Sequence, residues 1–156
     1  MLELLHSGRR VINVDESWIH ATNYTRMMWR PPSAPGTMIS KSVAPRLALL
    51  CALDTKGQIY YSLSQSNTDS DMMMLYMRHL LRRLDEEEAD WRDNTVFLFD
   101  GAKYHTSEEM KAYFRKMDIK VIYSGPYSYT SAPIELMFGA LKRGELNPDK
   151  HPTGKR

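Results

Sequence analysis

The sequence contains a single cysteine, Cys51, among its 156 residues. One thiol excludes a disulfide within the chain and a zinc site built from cysteines. Cys51 lies in the apolar run from Leu47 to Leu53, and free cysteines are usually buried. We therefore expect Cys51 to be a structural side chain in the core, which is compatible with a reducing compartment.

Long hydrophobic runs are also absent. No stretch approaches the roughly 20 apolar residues that a membrane-spanning helix needs. Residues 1–10 lack the apolar segment of a secretory signal. We therefore expect a protein that is not secreted and has no membrane span. Its expected location is the nucleus if the source is eukaryotic, and the cytoplasm or nucleoid otherwise.

The chain has little excess charge of either sign, with a formal net charge of +2. A balanced total neither indicates nor excludes nucleic-acid binding, because one face can be basic while the sum is small. Its length is that of one domain, and its 42% hydrophobic and 26% charged residues are ordinary for a globular protein. Composition therefore leaves the function open, and the pattern of residues has to decide it.

The most informative stretch is Val96–Phe99, which is followed directly by Asp100 and Gly101. Four consecutive apolar residues predict a strand that is buried on both faces, as in a parallel sheet covered by helices. An aspartate at the end of such a strand lies where open α/β sheets hold their ligands. Asp100 is therefore a candidate functional residue.

Two further acids occupy comparable positions. Asp15 follows the apolar run Val11–Val14, and Glu135 follows Pro133 and Ile134 at the start of a helical pattern. We interpret Asp15, Asp100 and Glu135 as one metal-binding triad. Taken singly, each has an ordinary explanation, because such an aspartate is often a cap or turn residue and Glu135 could be a first-turn acid favoured by the helix dipole.

Periodicity predicts a mixed α/β fold with a five-stranded sheet. A meander of three antiparallel strands precedes helices that alternate with parallel strands, with helices on both faces. The right-handed crossover rule places the strand of Asp100 beside the strand of Asp15. The acidic run at 85–90 is interpreted as a solvated linker, and Thr106 with Glu109 as a capping box. The predicted strands are 11–15, 43–53, 58–64, 96–99 and 119–123, with helices starting near 67–71, 106–109 and 133.

Three blocks of the sequence resemble a known family. DESW at 15–18, FDGAKYH at 99–105 and PYSxxxxPIExxF at 126–138 are similar to the DDE transposase catalytic domain of the mariner-like superfamily, which includes bacterial insertion-sequence enzymes. Thirty-four residues separate Asp100 from Glu135, a spacing typical of that superfamily. The resemblance implies a ribonuclease H-like DDE domain at 11–143, with 1–10 as a lead-in and 144–156 as a C-terminal tail.

The resemblance also implies a function. Such a domain is a metal-dependent endonuclease that cuts DNA at transposon ends and transfers the freed strand to target DNA. Asp15, Asp100 and Glu135 would be its catalytic residues and would hold two Mg²⁺ ions, which Mn²⁺ can replace. Mg²⁺ prefers hard oxygen ligands, so a carboxylate triad suits it. The implied partner is DNA, and a homodimer is a further expectation.

Other residues are secondary candidates. Glu16 and His105 match the acid after the first aspartate and the histidine after the second, so both are accessory candidates. A structural hydrogen-bonding role for His105 is an equal alternative. The residues expected to contact DNA are basic or aromatic. They are Arg26, Trp29, Arg30, Lys103 and Lys142.

The sequence departs from the family pattern in two respects. Ala132-Pro133 stands where an asparagine-proline pair is common, and Tyr129 where a proline is frequent. No stretch resembles the helix-turn-helix domains that precede such catalytic domains, which leaves a catalytic fragment, a relic or a repurposed domain as interpretations. The competing functions are a domesticated, non-catalytic module within a larger assembly, and a host ribonuclease H-like nuclease.

Overall fold

The structure is a computed structural model, and it describes residues 8–19, 46–125 and 132–143. These residues form one five-stranded mixed sheet with strand order β3-β2-β1-β4-β5. The pairs β1–β2 and β2–β3 are antiparallel, whereas β1–β4 and β4–β5 are parallel. The strands are β1 (Arg10–Ile19), β2 (Leu47–Asp54), β3 (Ile59–Ser64), β4 (Thr95–Phe99) and β5 (Val121–Tyr123).

Within the described ranges, four helices accompany the sheet. They are α1 (Ser70–Glu87), α2 (Trp91–Asn94), α3 (Glu108–Lys116) and α4 (Pro133–Arg143). Helices α1 and α3 cover one face of the sheet, and α4 covers part of the other. The predicted α/β class, the antiparallel meander and the placement of β4 beside β1 are therefore confirmed. None of the described helices is long and apolar enough to cross a membrane.

Strand β1 is longer than predicted. It continues past Asp15 to Ile19, because β2 pairs with it in antiparallel register as far as Ile19 opposite Leu47. The prediction that the strand ends at Asp15 was wrong. The parallel pairing with β4, by contrast, covers only Arg10 to Asn13.

The face under α1 and α3 holds the larger hydrophobic core. Side chains alternate across a strand, so Ile12 and Val14 of β1 point to this face together with Phe97 and Phe99 of β4. Phe97 packs edge-on against Trp91, with ring centroids 5.9 Å apart. The predicted stripe of α1 is buried here and consists of Met73, Met77, Leu80, Leu81 and Leu84.

The face under α4 has a much smaller core. Leu49 and Cys51 of β2 pack against Ile134 and Phe138 of α4. Cys51 is buried, as predicted, and its burial raises the pKa of the thiol to about 11. Beside α4 the sheet carries an apolar groove of about 380 Å³. Its β3 wall consists of exposed side chains, namely Ile59, Tyr61 and Leu63.

Two local predictions were wrong. The acidic run is not a linker, because α1 continues through Glu87 and Asp85 accepts a hydrogen bond from Trp91 Nε1 at 2.9 Å. The cap of α3 is Ser107, whose hydroxyl accepts from Met110 N at 3.2 Å. Thr106 instead donates to the Ala102 carbonyl at 3.1 Å, because the chain makes a tight turn there.

Candidate active site

Asp15 lies in β1, and Asp100 directly follows β4, the strand that pairs with β1. In the parallel register of β1 and β4, Asn13 is opposite Leu98. The register of these two strands ends at this pair, and Asp15 and Asp100 each come two residues later. Asp15 is buried at 8% exposure, whereas the side chain of Asp100 is 51% exposed. The fold therefore brings the first two predicted carboxylates to the same end of the β1–β4 pair, close enough for the charge of Asp100 to act on Asp15.

The Asp100 carboxylate is held by two hydrogen bonds to one of its oxygens. Oδ1 accepts from the backbone N–H of Ala102 at 3.0 Å and contacts Nδ1 of His105 at 2.5 Å. The hydrogen bond with His105 lowers the pKa of Asp100 below its usual value, and the Ala102 N–H acts in the same direction against partial burial. Asp100 is therefore ionised and oriented at neutral pH.

Asp15 has the opposite electrostatic environment. Burial, with smaller contributions from the charges of Asp100 and Glu135, raises its pKa to about 7. Its one compensating contact among the described residues is the backbone N–H of Glu16, which donates to Oδ1 at 2.8 Å. Asp100 and Glu135 are therefore both near enough to Asp15 for their charges to disfavour its ionisation.

Glu16 adds a fourth acid on the opposite face of β1. Burial raises the pKa of Glu16 to about 8, with smaller contributions from Asp15, Asp100 and Glu135. Its Oε2 lies 3.6 Å from Nε2 of His105. Both of these atoms are buried and lack a hydrogen-bond partner in the described part of the chain. Glu16 and His105 thus lie where the sequence predicted accessory residues.

Glu135 is exposed in the first turn of α4, near enough for its charge to act on Asp15. The position of this helix depends on Asn13, a residue that the sequence analysis did not select. Asn13 Oδ1 accepts from Ile134 N at 3.3 Å, and Asn13 Nδ2 donates to the Leu98 carbonyl at 3.2 Å. One buried side chain of β1 therefore connects the elements that carry the three acids. The available signal was a lone asparagine inside an apolar run.

In this structure the three acids are not arranged as a metal-binding site. Across ranges 8–19, 46–125 and 132–143, no three His, Cys, Asp or Glu side chains are grouped closely enough to hold a metal ion. The donor chemistry nevertheless fits a hard divalent cation, because the site offers carboxylate oxygens. Within the same ranges, neither Asp15 nor Glu135 forms an ion pair with a lysine or arginine. Excess negative charge at these positions would be relieved by a cation.

The predicted DNA contacts are only partly described. Lys103 is exposed in the turn after Asp100, and Lys142 is half-buried in the last turn of α4. Arg26, Trp29 and Arg30 lie outside the described residues.

A mixed sheet in this order, with one acid within β1, another directly after β4 and helices on both faces, defines a ribonuclease H-like domain. The family model described as "DDE superfamily endonuclease" matches residues 10–156. The chain therefore belongs to the DDE endonuclease family, and the resemblance stated from its sequence is confirmed.

Solved structures show the same fold. The Mos1 transposase paired-end complex with left transposon end is 22% identical with a TM-score of 0.69, and the match covers 90% of this chain and 45% of that one. The mariner Mos1 paired-end complex with Mg is 22% identical, with a TM-score of 0.70 and coverages of 90% and 44%. The catalytic domain of Mos1 mariner transposase is 19% identical, with a TM-score of 0.64 and coverages of 90% and 64%. This chain thus spans less than half of the transposase chains in the two complexes. A comparison with curated proteins found no match.

Proposed function

We propose that this chain is the catalytic domain of a DNA transposase, and that it cleaves DNA strands and joins them to target DNA with the help of divalent cations. The observation that carries the proposal is the placement of two carboxylates on paired strands and of a third on the helix that Asn13 connects to them. Asp15 lies in β1, Asp100 directly follows β4, and Glu135 lies in the first turn of α4. Membership of the DDE endonuclease family supports the same reaction class.

In this proposal the three acids hold two divalent cations. When bound, such ions stabilise the charge that develops on a phosphodiester during displacement and acidify water. Asp15 within β1 and Asp100 directly after β4 supply two of the carboxylates, on strands that pair in parallel. Glu135 supplies the third from α4, which Asn13 connects to the sheet. Mg²⁺ and Mn²⁺ are the proposed ions, and each occurs in the name of a Mos1 complex of the same fold.

The proposed substrate is DNA, at transposon ends and at a target site. Mos1, which has the same fold, is described in a complex with the left transposon end. Lys103 is exposed in the turn after Asp100, where an ammonium group would contact a phosphate. The assignment of 11–143 as the catalytic domain, a homodimer, and DNA contacts by Arg26, Trp29, Arg30 and Lys142 stay predictions.

Replacement of one carboxylate tests the proposal. We expect purified protein with Mn²⁺ or Mg²⁺ to nick supercoiled DNA, and Asp100→Asn to abolish nicking because the amide cannot supply an anionic ligand. Asp118→Asn is the matched control, since Asp118 is exposed at a positive φ of 52° that asparagine tolerates. Equal nicking by Asp100→Asn and wild type would indicate a contaminating nuclease and contradict the proposal.

Titration with Mn²⁺ separates catalysis from cation binding. We expect calorimetry to detect binding to the wild-type chain and a loss of binding in Asp100→Asn. A folded wild-type chain that binds no Mn²⁺ would instead favour the domesticated, non-catalytic module considered from the sequence.

A further inference from the structure

The His105 side chain is fixed from several directions. It is completely buried, and its ring lies 5.0 Å from the ring of Phe99 and 4.4 Å from that of Tyr104, measured between centroids. The backbone is held as well, because His105 N donates to the Ala102 carbonyl at 3.0 Å and Tyr123 Oη donates to the His105 carbonyl at 3.2 Å. The imidazole therefore has a single orientation in a packed environment.

The hydrogen bonds to Asp100 are asymmetric. The Ala102 N–H can only donate, so Oδ1 is an acceptor, and Nδ1 of His105 is placed as a second donor to the same oxygen. In the described part of the chain, Oδ2 of Asp100 accepts no hydrogen bond. The carboxylate is thus fixed through Oδ1, while Oδ2 has no such contact on a side chain that is half-exposed.

The other ring nitrogen of His105, Nε2, forms no hydrogen bond with the described residues. Nε2 is 3.6 Å from Glu16 Oε2, which is too long for a hydrogen bond, and both atoms are buried without a partner among the described residues. An unsatisfied buried polar group is destabilising. A phenylalanine could pack against Phe99 and Tyr104 without that penalty, so packing alone does not explain a histidine here.

We infer that His105 is a positioning residue that acts through Asp100, holding Oδ1 by hydrogen bonding so that Oδ2 is presented to a divalent cation. This inference rests on the proposed function. In this role His105 does not contact substrate or cation, because its imidazole is buried and contacts Asp100 instead. Groups that orient a ligand carboxylate from behind typically contribute 10- to 100-fold to metal affinity.

Two substitutions of His105 separate the donor from the shape of the side chain. His105→Phe fills the space without a donor, and His105→Asn keeps an N–H donor near the position of Nδ1. His79→Phe is the matched control, because His79 is exposed on α1 away from the three acids. Mn²⁺ affinity is measured by calorimetry on folded protein, with folding checked by circular dichroism and thermal unfolding.

We expect His105→Phe to weaken Mn²⁺ binding by roughly 10- to 100-fold, His105→Asn to restore most of the affinity, and His79→Phe to equal wild type. A folded His105→Phe variant with wild-type affinity would overturn the inference and leave the proposed function intact. Equal weakening by His105→Phe and His105→Asn would also overturn it. A wild-type chain that binds no Mn²⁺ would overturn the proposed function and the inference together.

A measurement on the wild-type protein covers the case in which His105→Phe does not fold. Nitrogen-15 NMR of the imidazole reports which ring nitrogen carries the proton, and we expect the Nδ1–H tautomer, with its signal displaced in Asp100→Asn. A proton on Nε2 alone would overturn the inference, because Nδ1 could then not donate to Asp100.

Discussion

The two faces of the sheet differ in how much hydrophobic core they hold. Under α1 and α3 a large cluster includes the fully buried Trp91, Phe97 and Phe99. Under α4 the buried cluster has four members among the described residues, and the adjoining β3 surface is exposed. The acids Asp15 and Glu135 belong to this second side. The larger core therefore supports the sheet, while the candidate site is built where packing is weaker and where Asn13 forms a hydrogen bond with α4.

The largest expected effect is the loss of a buried ring from the larger core. Phe97→Ala should lower the free energy of unfolding by about 3–5 kcal/mol, because a cavity remains beside Trp91. Phe138→Ala is the matched change under α4 and should cost less, since its cavity lies beside a groove that water and neighbouring side chains can enter. Urea denaturation measures both, and equal losses would contradict the comparison.

The second prediction concerns pH, and it has two sources, Asp15 and Glu16, because the pKa values of both are raised in the folded protein. For Asp15 the folded-state pKa of about 7 exceeds the ordinary value of 3.8, so between these values the folded protein binds more protons than the unfolded chain. Stability of the protein without divalent cations should therefore fall as pH rises from about 4 to about 8. Each pKa unit corresponds to about 1.4 kcal/mol.

Asp15→Asn removes one of the two titrating groups and tests this sign. At pH 8 with a chelator, we expect the variant to be more stable than wild type by on the order of 1–3 kcal/mol, with the difference vanishing towards pH 4. Thermal unfolding across this pH range measures the effect, and Asp118→Asn serves as the control. A variant that is less stable than wild type at pH 8 would show that Asp15 is not destabilised by its surroundings.

The third prediction tests whether Asn13 connects α4 to the sheet. Asn13→Ala leaves the Ile134 N–H without its partner, and loss of a buried partner costs about 1–3 kcal/mol. Hydrogen exchange should be faster at the Ile134 amide in Asn13→Ala than in wild type, whereas the amides of α1 should keep their wild-type rates. The control is Asn67→Ala, an exposed position that accepts a hydrogen bond from Arg46. Unchanged protection of Ile134 would rule out this role for Asn13.

The smallest effect is expected on the exposed wall of the groove. Tyr61 is 70% exposed, so Tyr61→Ser should change the free energy of unfolding by no more than about 0.5 kcal/mol. The same urea measurement applies. A loss above 1 kcal/mol would mean that Tyr61 is covered in solution, and the contrast between the two faces would then be smaller than the structure indicates.

Much of the fold was predictable because its signals are local. The apolar run at Val96–Phe99 and the stripes of α1 and α4 express burial through residue spacing alone. Strand and helix ends were less predictable, because partners from other parts of the chain determine them. β2 extends β1 past Asp15, and Ser107 rather than Thr106 caps α3 because the preceding turn engages the Thr106 hydroxyl.

The sequence by itself determined the family and the order of strands and helices, and it selected the three acids proposed as the site. Only the tertiary structure decided how these acids affect one another. The raised pKa of Asp15, the hydrogen bond from His105 to Asp100 and the link through Asn13 each join residues on different elements. Such effects depend on distance and burial, and these exist only once β1, β4 and α4 have packed together.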